Sequence, residues 1–235
     1  MTLFRTEAAL DTSQGVALAV RRDGQLVVQA GEALSGRDSD SRLALWIEER
    51  LAAAGLTLAG IDRWTVGTGP GSFSGLRAGI AFIQGVAAAG GAPLRGLPSS
   101  LALARDAWAA AAAGEDIGEV AVLHDARQRQ ILVSVWRHDA GGWSEAQPAR
   151  VADPAEAVRV VLSCRLAVTA HLERFAPLLL ENAIVKLLSR EQVAAEFLLD
   201  VPGQPWPATD EAAADSCQPV YVRPAVFVPP APIRN

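Results

Sequence analysis

Short apolar blocks separated by turn residues fill the first thirty positions of the chain. Ala8–Leu10, Gly15–Val20 and Gln25–Ala30 read as consecutive strands, and the Asp23-Gly24 pair between the last two is a hairpin signal. From 41 to 54 the period changes to that of a helix, with Leu43, Trp46, Ile47, Leu51 and Ala54 on one stripe and Gly55 at its end. Ile61–Val66 predicts the next strand. It runs into a Gly/Ser-rich turn, and a helix follows from about Gly75 to Ala89, stopped by Gly90-Gly91-Ala92-Pro93. A short strand at Leu94–Leu97 then leads to Ser99 or Ser100, either able to cap a helix through Ala113.

Around Gly114 the pattern restarts. Glu119–Leu123, an aspartate within His124-Asp125-Ala126-Arg127, a strand over Gln130–Arg137 and a Gly141-Gly142 turn repeat the order of the opening block. The echo lies in pattern rather than identity, and it predicts two related α/β halves, residues 1–113 and 114–235. A helix near Ala155–Leu162 and a strand near Leu166–Thr169 continue the second half, with weaker signals from Phe175 to Leu199. From Val201 onward eight of the fourteen prolines appear, so an extended or irregular tail is expected, with Pro219–Arg223 able to dock as a terminal segment.

The run Thr65–Ile80 is the most explicit stretch. Its five glycines allow positive φ and close backbone approach, and Ser72 or Ser74 can cap the helix behind it. Such a turn serves either an anion on free N–H groups or a second backbone packed tightly against it. A P-loop is excluded because no lysine follows the glycines. Ser72 breaks the dinucleotide fingerprint, and Phe73 stands where a nucleophile elbow needs serine. On the helix, Leu76, Ile80, Ile83 and Ala87 form one apolar stripe, and Gly75, Gly79, Phe82, Val86 and Gly90 form another. Only Arg77 and Gln84 give it a polar side, so the helix is either buried against its own sheet and helix 41–54 or covered by another protein.

Composition narrows the function classes. With 235 residues, half of them hydrophobic, the chain can build one large or two ordinary domains, and its formal charge of −5 disfavours a bulk nucleic-acid binder. The basic residues are nearly all arginine, Lys186 being the one lysine. No apolar run of membrane-spanning length and no signal-peptide pattern is seen, so a cytoplasmic protein is expected. Cys164 and Cys217 form no CxxC pair, and His124, His138 and His171 show no metal-binding spacing. Ser72 or Ser74 with His124 is a serine–histidine pairing a hydrolase could use, and nothing in the spacing requires them to meet.

Gly69-Pro70-Gly71-Ser72-Phe73-Ser74-Gly75-Leu76-Arg77, preceded by Ile61-Asp62, closely resembles the signature of the bacterial TsaB (YeaZ) family, with Ser74 where that family usually has threonine. Further matches fall in the same order: Leu10-Asp11-Thr12-Ser13, Gly96-Leu97-Pro98-Ser99-Ser100-Leu101, Asp125-Ala126-Arg127 and Pro219–Arg223. Departures occur too. Asp38–Arg42 lacks the family's frequent histidine, and Gln128 and Leu132 stand where an arginine and a tyrosine are common.

The resemblance implies tandem RNase H-like halves of the actin/Hsp70-like ATPase superfamily, with mixed sheets flanked by helices. It also implies an accessory subunit, inactive alone, in formation of N6-threonylcarbamoyladenosine at tRNA position 37. A TsaD-like catalytic subunit would carry ATP, metal and the transferase chemistry, a TsaE-like ATPase would be a further partner, and the free chain would form a homodimer through the same surface. Transfer of the family's partner face points to Phe73, Leu76, Arg77, Ile80 and Gln84, joined by Arg42 and Trp46 of helix 41–54. Asp11, Thr12 and Ser13 fall where ATPases of the superfamily have their first phosphate loop. Asp125-Ala126-Arg127 in the second half lacks a glycine-rich phosphate turn, so a vestigial site without tightly bound cofactor is expected. No catalytic residue, metal site or membrane contact is expected on this chain, and tRNA would be met through the complex. An ATP-dependent transferase or kinase, or a peptidase-like hydrolase, is the alternative.

Overall fold

The structure is a computed structural model that describes residues 5–33, 38–111, 117–126, 130–179 and 185–222. Arg127, Gln128, Arg129 and Arg223 lie outside the described residues, as does the junction near Gly114.

Strands β1 (Thr6–Asp11), β2 (Val16–Arg22) and β3 (Gln25–Glu32) form an antiparallel meander. Asp23 and Gly24 both take positive φ at its second turn, as the Asp-Gly pair predicts. Helix α1 (Asp38–Ala53) leads to β4 (Arg63–Gly67), which pairs parallel with β1. Helix α2 (Phe73–Gly90) leads to β5 (Leu94–Leu97), parallel to β4. The sheet order is β3-β2-β1-β4-β5. Helix α3 (Ser99–Ala111) follows.

The second half repeats this plan. Strands β6 (Glu119–Asp125), β7 (Ile131–Asp139) and β8 (Gly142–Ala152) are antiparallel, and α4 (Pro154–Ser163) leads to β9 (Leu166–Thr169), parallel to β6. Helix α5 (Leu172–Leu179) precedes β10 (Lys186–Ser189), and the order β8-β7-β6-β9-β10 matches the first sheet strand for strand. Asp11 and Asp125 are thereby placed alike, each closing the first strand of its sheet.

Three apolar clusters follow from the amphipathic elements. Leu43, Trp46, Ile47 and Leu51 of α1 and Leu76, Ile80, Ile83 and Ala87 of α2 cover one face of the first sheet. Ala157, Val160, Val161 and Phe175 cover the outer face of the second. Between the sheets lies α3, whose Leu101, Ala102, Leu103, Ala104 and Ala107 are all fully buried. A helix apolar on every side needs two surfaces to cover it, and the paired sheets supply them.

The segment after β10 returns to the first half. The 3₁₀ turn Ala195–Leu198 packs on β1 to β4, and α6 (Asp210–Ser216) lies against β5. Gly96 N–H donates to Ser216 Oγ at 2.9 Å. A methyl group on Gly96 would stand 2.1 Å from Ser216 O, so glycine is needed at this approach. Arg95, 2% exposed, donates to Gln204 O and Leu198 O, and both Arg95 and Arg63 stack on Trp206 at 4.3 and 4.7 Å from the ring centre. Burial and the neighbouring Arg63 lower the Arg95 pKa to about 10, and the guanidinium remains charged. Helix α6 is a finding beyond the extended tail expected from the proline content: the prolines at 202, 205 and 207 precede it and none falls inside it.

Candidate functional site

The Gly/Ser-rich turn joins β4 to α2 and lies beside the loop that follows β1. Ser72 is the N-cap of α2, its hydroxyl accepting from Gly75 N–H at 3.3 Å, and its own N–H donates to Ser13 O at 2.8 Å. An added Cβ on Gly71 would meet Ser13 O at 2.4 Å, and one on Gly75 would meet Thr12 O at 2.5 Å. On Gly79 it would meet Thr12 Oγ1 at 2.3 Å. The glycines are therefore needed for backbone packing against Asp11-Thr12-Ser13, the second of the two uses open to such a turn.

Asp11 sits under this lid, 1% exposed. Oδ1 accepts from Ser13 N–H at 2.8 Å and Ser13 Oγ at 2.6 Å, and Oδ2 accepts from Ser99 Oγ at 2.5 Å. Ser99 Oγ in turn accepts from Gly69 N–H at 2.9 Å, tying α3, the turn and β1 together. Burial raises the Asp11 pKa, and hydrogen bonds from Ser13 and Ser99 work against that rise. The two serines expected to cap α3 are thus engaged elsewhere. Ser99 holds Asp11, and Ser100 Oγ accepts from Trp136 Nε1 at 3.2 Å in the second half. Asp125, the counterpart of Asp11, pairs with Arg174 of α5.

At the seam between the halves Gln14 Nε2 lies 3.3 Å from His124 Nδ1. His124 is 5% exposed, and burial, followed by the nearby His171, lowers its pKa to about 4. It is neutral near pH 7. A serine–histidine pair is not assembled: Ser72 and Ser74 are exposed at the start of α2, whereas His124 is buried and faces Gln14. Among the described residues no group of three or more His, Cys, Asp or Glu could hold a metal ion. Nor is any described helix long and apolar enough to cross a membrane.

The residues expected on a partner face divide in two. Leu76, Ile80 and Trp46 are 2%, 5% and 4% exposed and fill the core between α1, α2 and the first sheet. Their burial within the monomer follows because α2 turns its large aliphatic stripe toward its own sheet. Trp46 also donates from Nε1 to Glu32 Oε2 at 2.7 Å. Phe73, Arg77 and Arg42 are exposed, and Gln84 is half-buried. The outer side of α2 continues through Ala81, Gly85 and Ala88, all exposed and small.

Two surface residues escaped the sequence reading. Leu45 of α1 is 57% exposed, one position off the buried stripe. Tyr221 comes from the docked tail: Val220 N–H donates to Thr68 O at 2.8 Å, and Tyr221 lies against Phe73 with ring centres 5.4 Å apart. The tail's ability to dock was readable, but not its destination. A groove of about 720 Å3 between the end of α2 and α6 is lined by Gln84, Ala88, Pro93, Pro207 and Ala213 among others.

Two sheets of order 3-2-1-4-5, each with helices after its third and fourth strands, define a tandem RNase H-like protein of the actin/Hsp70-like ATPase class. The chain belongs to the family described as TsaD, tRNA N6-adenosine threonylcarbamoyltransferase, whose model matches residues 33–181, and within it to the TsaB/YeaZ group. It is 27% identical over 222 residues to the tRNA threonylcarbamoyladenosine biosynthesis protein TsaB of Escherichia coli (strain K12), covering 92% of this chain and 93% of that relative. Identity to the TsaB of Haemophilus influenzae (strain KW20 / Rd) is 30% over 160 residues, 65% of this chain and 66% of the relative. A crystal structure from Pseudomonas aeruginosa, described as an uncharacterized protein with similarity to peptidase YEAZ, superposes with a TM-score of 0.72 at 25% identity. That match covers 93% of this chain and 99% of the other.

Proposed function

We propose that this chain acts in tRNA threonylcarbamoyladenosine biosynthesis as a non-catalytic subunit. It pairs through the outer side of α1 and α2 with a TsaD-like subunit that carries ATP, metal and transfer chemistry. Modification at tRNA position 37 is then a property of the complex, with a TsaE-like ATPase as a further component and tRNA met through the assembly. Alone, the chain forms a homodimer through the same face. The protein works in the cytoplasm and holds no cofactor tightly.

The observation that carries this reading is the engagement of Asp11. In an ATPase of this class the equivalent carboxylate must be free to organise metal-bound water, yet here both its oxygens accept serine donors and the turn closes over them. Asp125 likewise already holds Arg174. The names of the relatives supply the pathway, and the exposed Phe73 and Arg77 are residue types enriched at protein interfaces.

Reconstitution tests it. The purified chain, given tRNA and an activated threonylcarbamoyl donor, should form no product alone and should raise product formation when the cognate TsaD-like subunit is added. Product from the chain alone, or tight magnesium-dependent ATP binding by calorimetry, would reject the proposal in favour of an ATP-dependent transferase.

A further inference from the structure

We infer that the C-terminal segment completes the partner-binding face: Tyr221 positions Arg77 to receive a carboxylate from a protein partner. This rests on the subunit reading above and adds to it a residue, a positioning role and the chemistry of the opposing surface.

The three side chains form a unit. Arg77 Nε donates to Tyr221 Oη at 3.1 Å across 144 residues of sequence. The Arg77 guanidinium lies 4.2 Å from the Phe73 ring centre, and the Tyr221 ring packs beside Phe73 at 41° between planes. The main-chain bond from Val220 to Thr68 fixes the segment from which Tyr221 projects. A contact made only to close the tail would bury these rings, yet Phe73 is 56% and Tyr221 51% exposed.

Arg77 is held but not neutralised. No carboxylate among the described residues pairs with it, and its side-chain hydrogen bond goes to the neutral Tyr221 hydroxyl. With Nε engaged by Tyr221 and one side of the guanidinium over Phe73, its terminal N–H groups are left for an incoming acceptor. A carboxylate matches that fork. The exposed Ala81, Gly85 and Ala88 continue the face and let another helix approach α2 closely. Small side chains along this row suit a packed helix, so the structure assigns the face to a protein surface that brings a carboxylate to Arg77.

The full chain should be titrated against the cognate TsaD-like subunit by calorimetry, using wild type, Phe73→Ala, Arg77→Ala, Tyr221→Phe and Tyr221→Ala. Arg77→Ala and Tyr221→Ala should each weaken binding about tenfold or more, and Tyr221→Phe about threefold. Adding Tyr221→Phe to Arg77→Ala should cause no further loss, because the hydroxyl acts through the guanidinium. High salt should weaken wild type more than Arg77→Ala. Melting temperatures should stay unchanged, which separates loss of binding from loss of fold.

If Tyr221 variants bind like wild type while Phe73→Ala and Arg77→Ala do not, the role of the tail is wrong and the subunit reading survives. If every variant binds like wild type, the face lies elsewhere. If wild type does not bind the subunit, both readings fall. Binding of a tRNA anticodon stem-loop to the isolated chain, lost in Arg77→Ala while subunit binding is intact, would overturn the protein assignment.

Discussion

Ser99 Oγ donates to Asp11 Oδ2 at 2.5 Å, joining the first turn of α3 to the end of β1 across 88 residues of sequence. The same hydroxyl accepts from Gly69 N–H, so one serine links three segments of the first half. Ser99→Ala leaves a buried carboxylate oxygen without its donor and an N–H without its acceptor. The expected loss is about 2–3 kcal/mol of unfolding free energy, measured by urea denaturation, with Ser99→Thr less damaging. A loss below about 0.5 kcal/mol would mean that water replaces the hydroxyl.

Two glycines of α2 should respond in opposite directions to the same substitution. Gly75→Ala drives a methyl group to 2.5 Å from Thr12 O, a backbone atom that cannot swing aside. The change should lower stability by about 2 kcal/mol or more. Gly85 is exposed with nothing within 4 Å of an added Cβ, so Gly85→Ala should raise stability by about 0.5–1 kcal/mol through helix propensity alone. Thermal melts of the two variants beside wild type decide the matter.

Leu76→Glu and Ile80→Glu place a carboxylate among Leu10, Val66 and Ile83 in the core of the first half. Each should cost about 3–5 kcal/mol and expose the protein to unfolding, visible as a large fall in the circular dichroism melting temperature. Phe73→Ala, at a half-exposed site, should leave the melt nearly unchanged. A loss of partner binding in the glutamate variants would therefore report the fold, whereas the same loss in Phe73→Ala would report the surface.

His124 gives the fold an acid-sensitive element. Burial lowers its pKa from 6.5 to about 4, so the unfolded chain binds this proton more readily than the folded one. Its contribution is full above pH 6.5 and is lost progressively as pH falls toward 4, amounting to up to ~3 kcal/mol. His124→Asn should flatten that part of the stability–pH profile relative to wild type. Parallel profiles for the two proteins would show that His124 is not held neutral by the fold.

The alternation and period changes of the sequence located most elements because each strand or helix has one face against a core. Leu94–Leu97 and Leu166–Thr169 fall where the pattern places them, and the Asp23-Gly24 hairpin and Gly91 helix stop use the expected positive φ. The repeated order of strand, aspartate, strand and turn became two sheets of the same topology. Helix α6 and the return of the tail were not legible, because their partners Gly96 and Arg95 lie far away in sequence.

The candidate surface shows the same division. A helical wheel places Leu76, Ile80 and Arg77 on one helix, apolar over most of its circumference, but cannot say which side meets the sheet. Nor can it tell that Tyr221 will come to rest beside Phe73. Local spacing alone determined most of the strands and helices, the two-part plan and the need for glycine in the turn after β4, since these depend on neighbours within a few residues. Only the tertiary structure decided what the glycines press against, that Ser99 occupies the second oxygen of Asp11, and which side of α2 is left for solvent. Those outcomes depend on contacts between residues tens to more than a hundred positions apart, and no local pattern encodes such a distance.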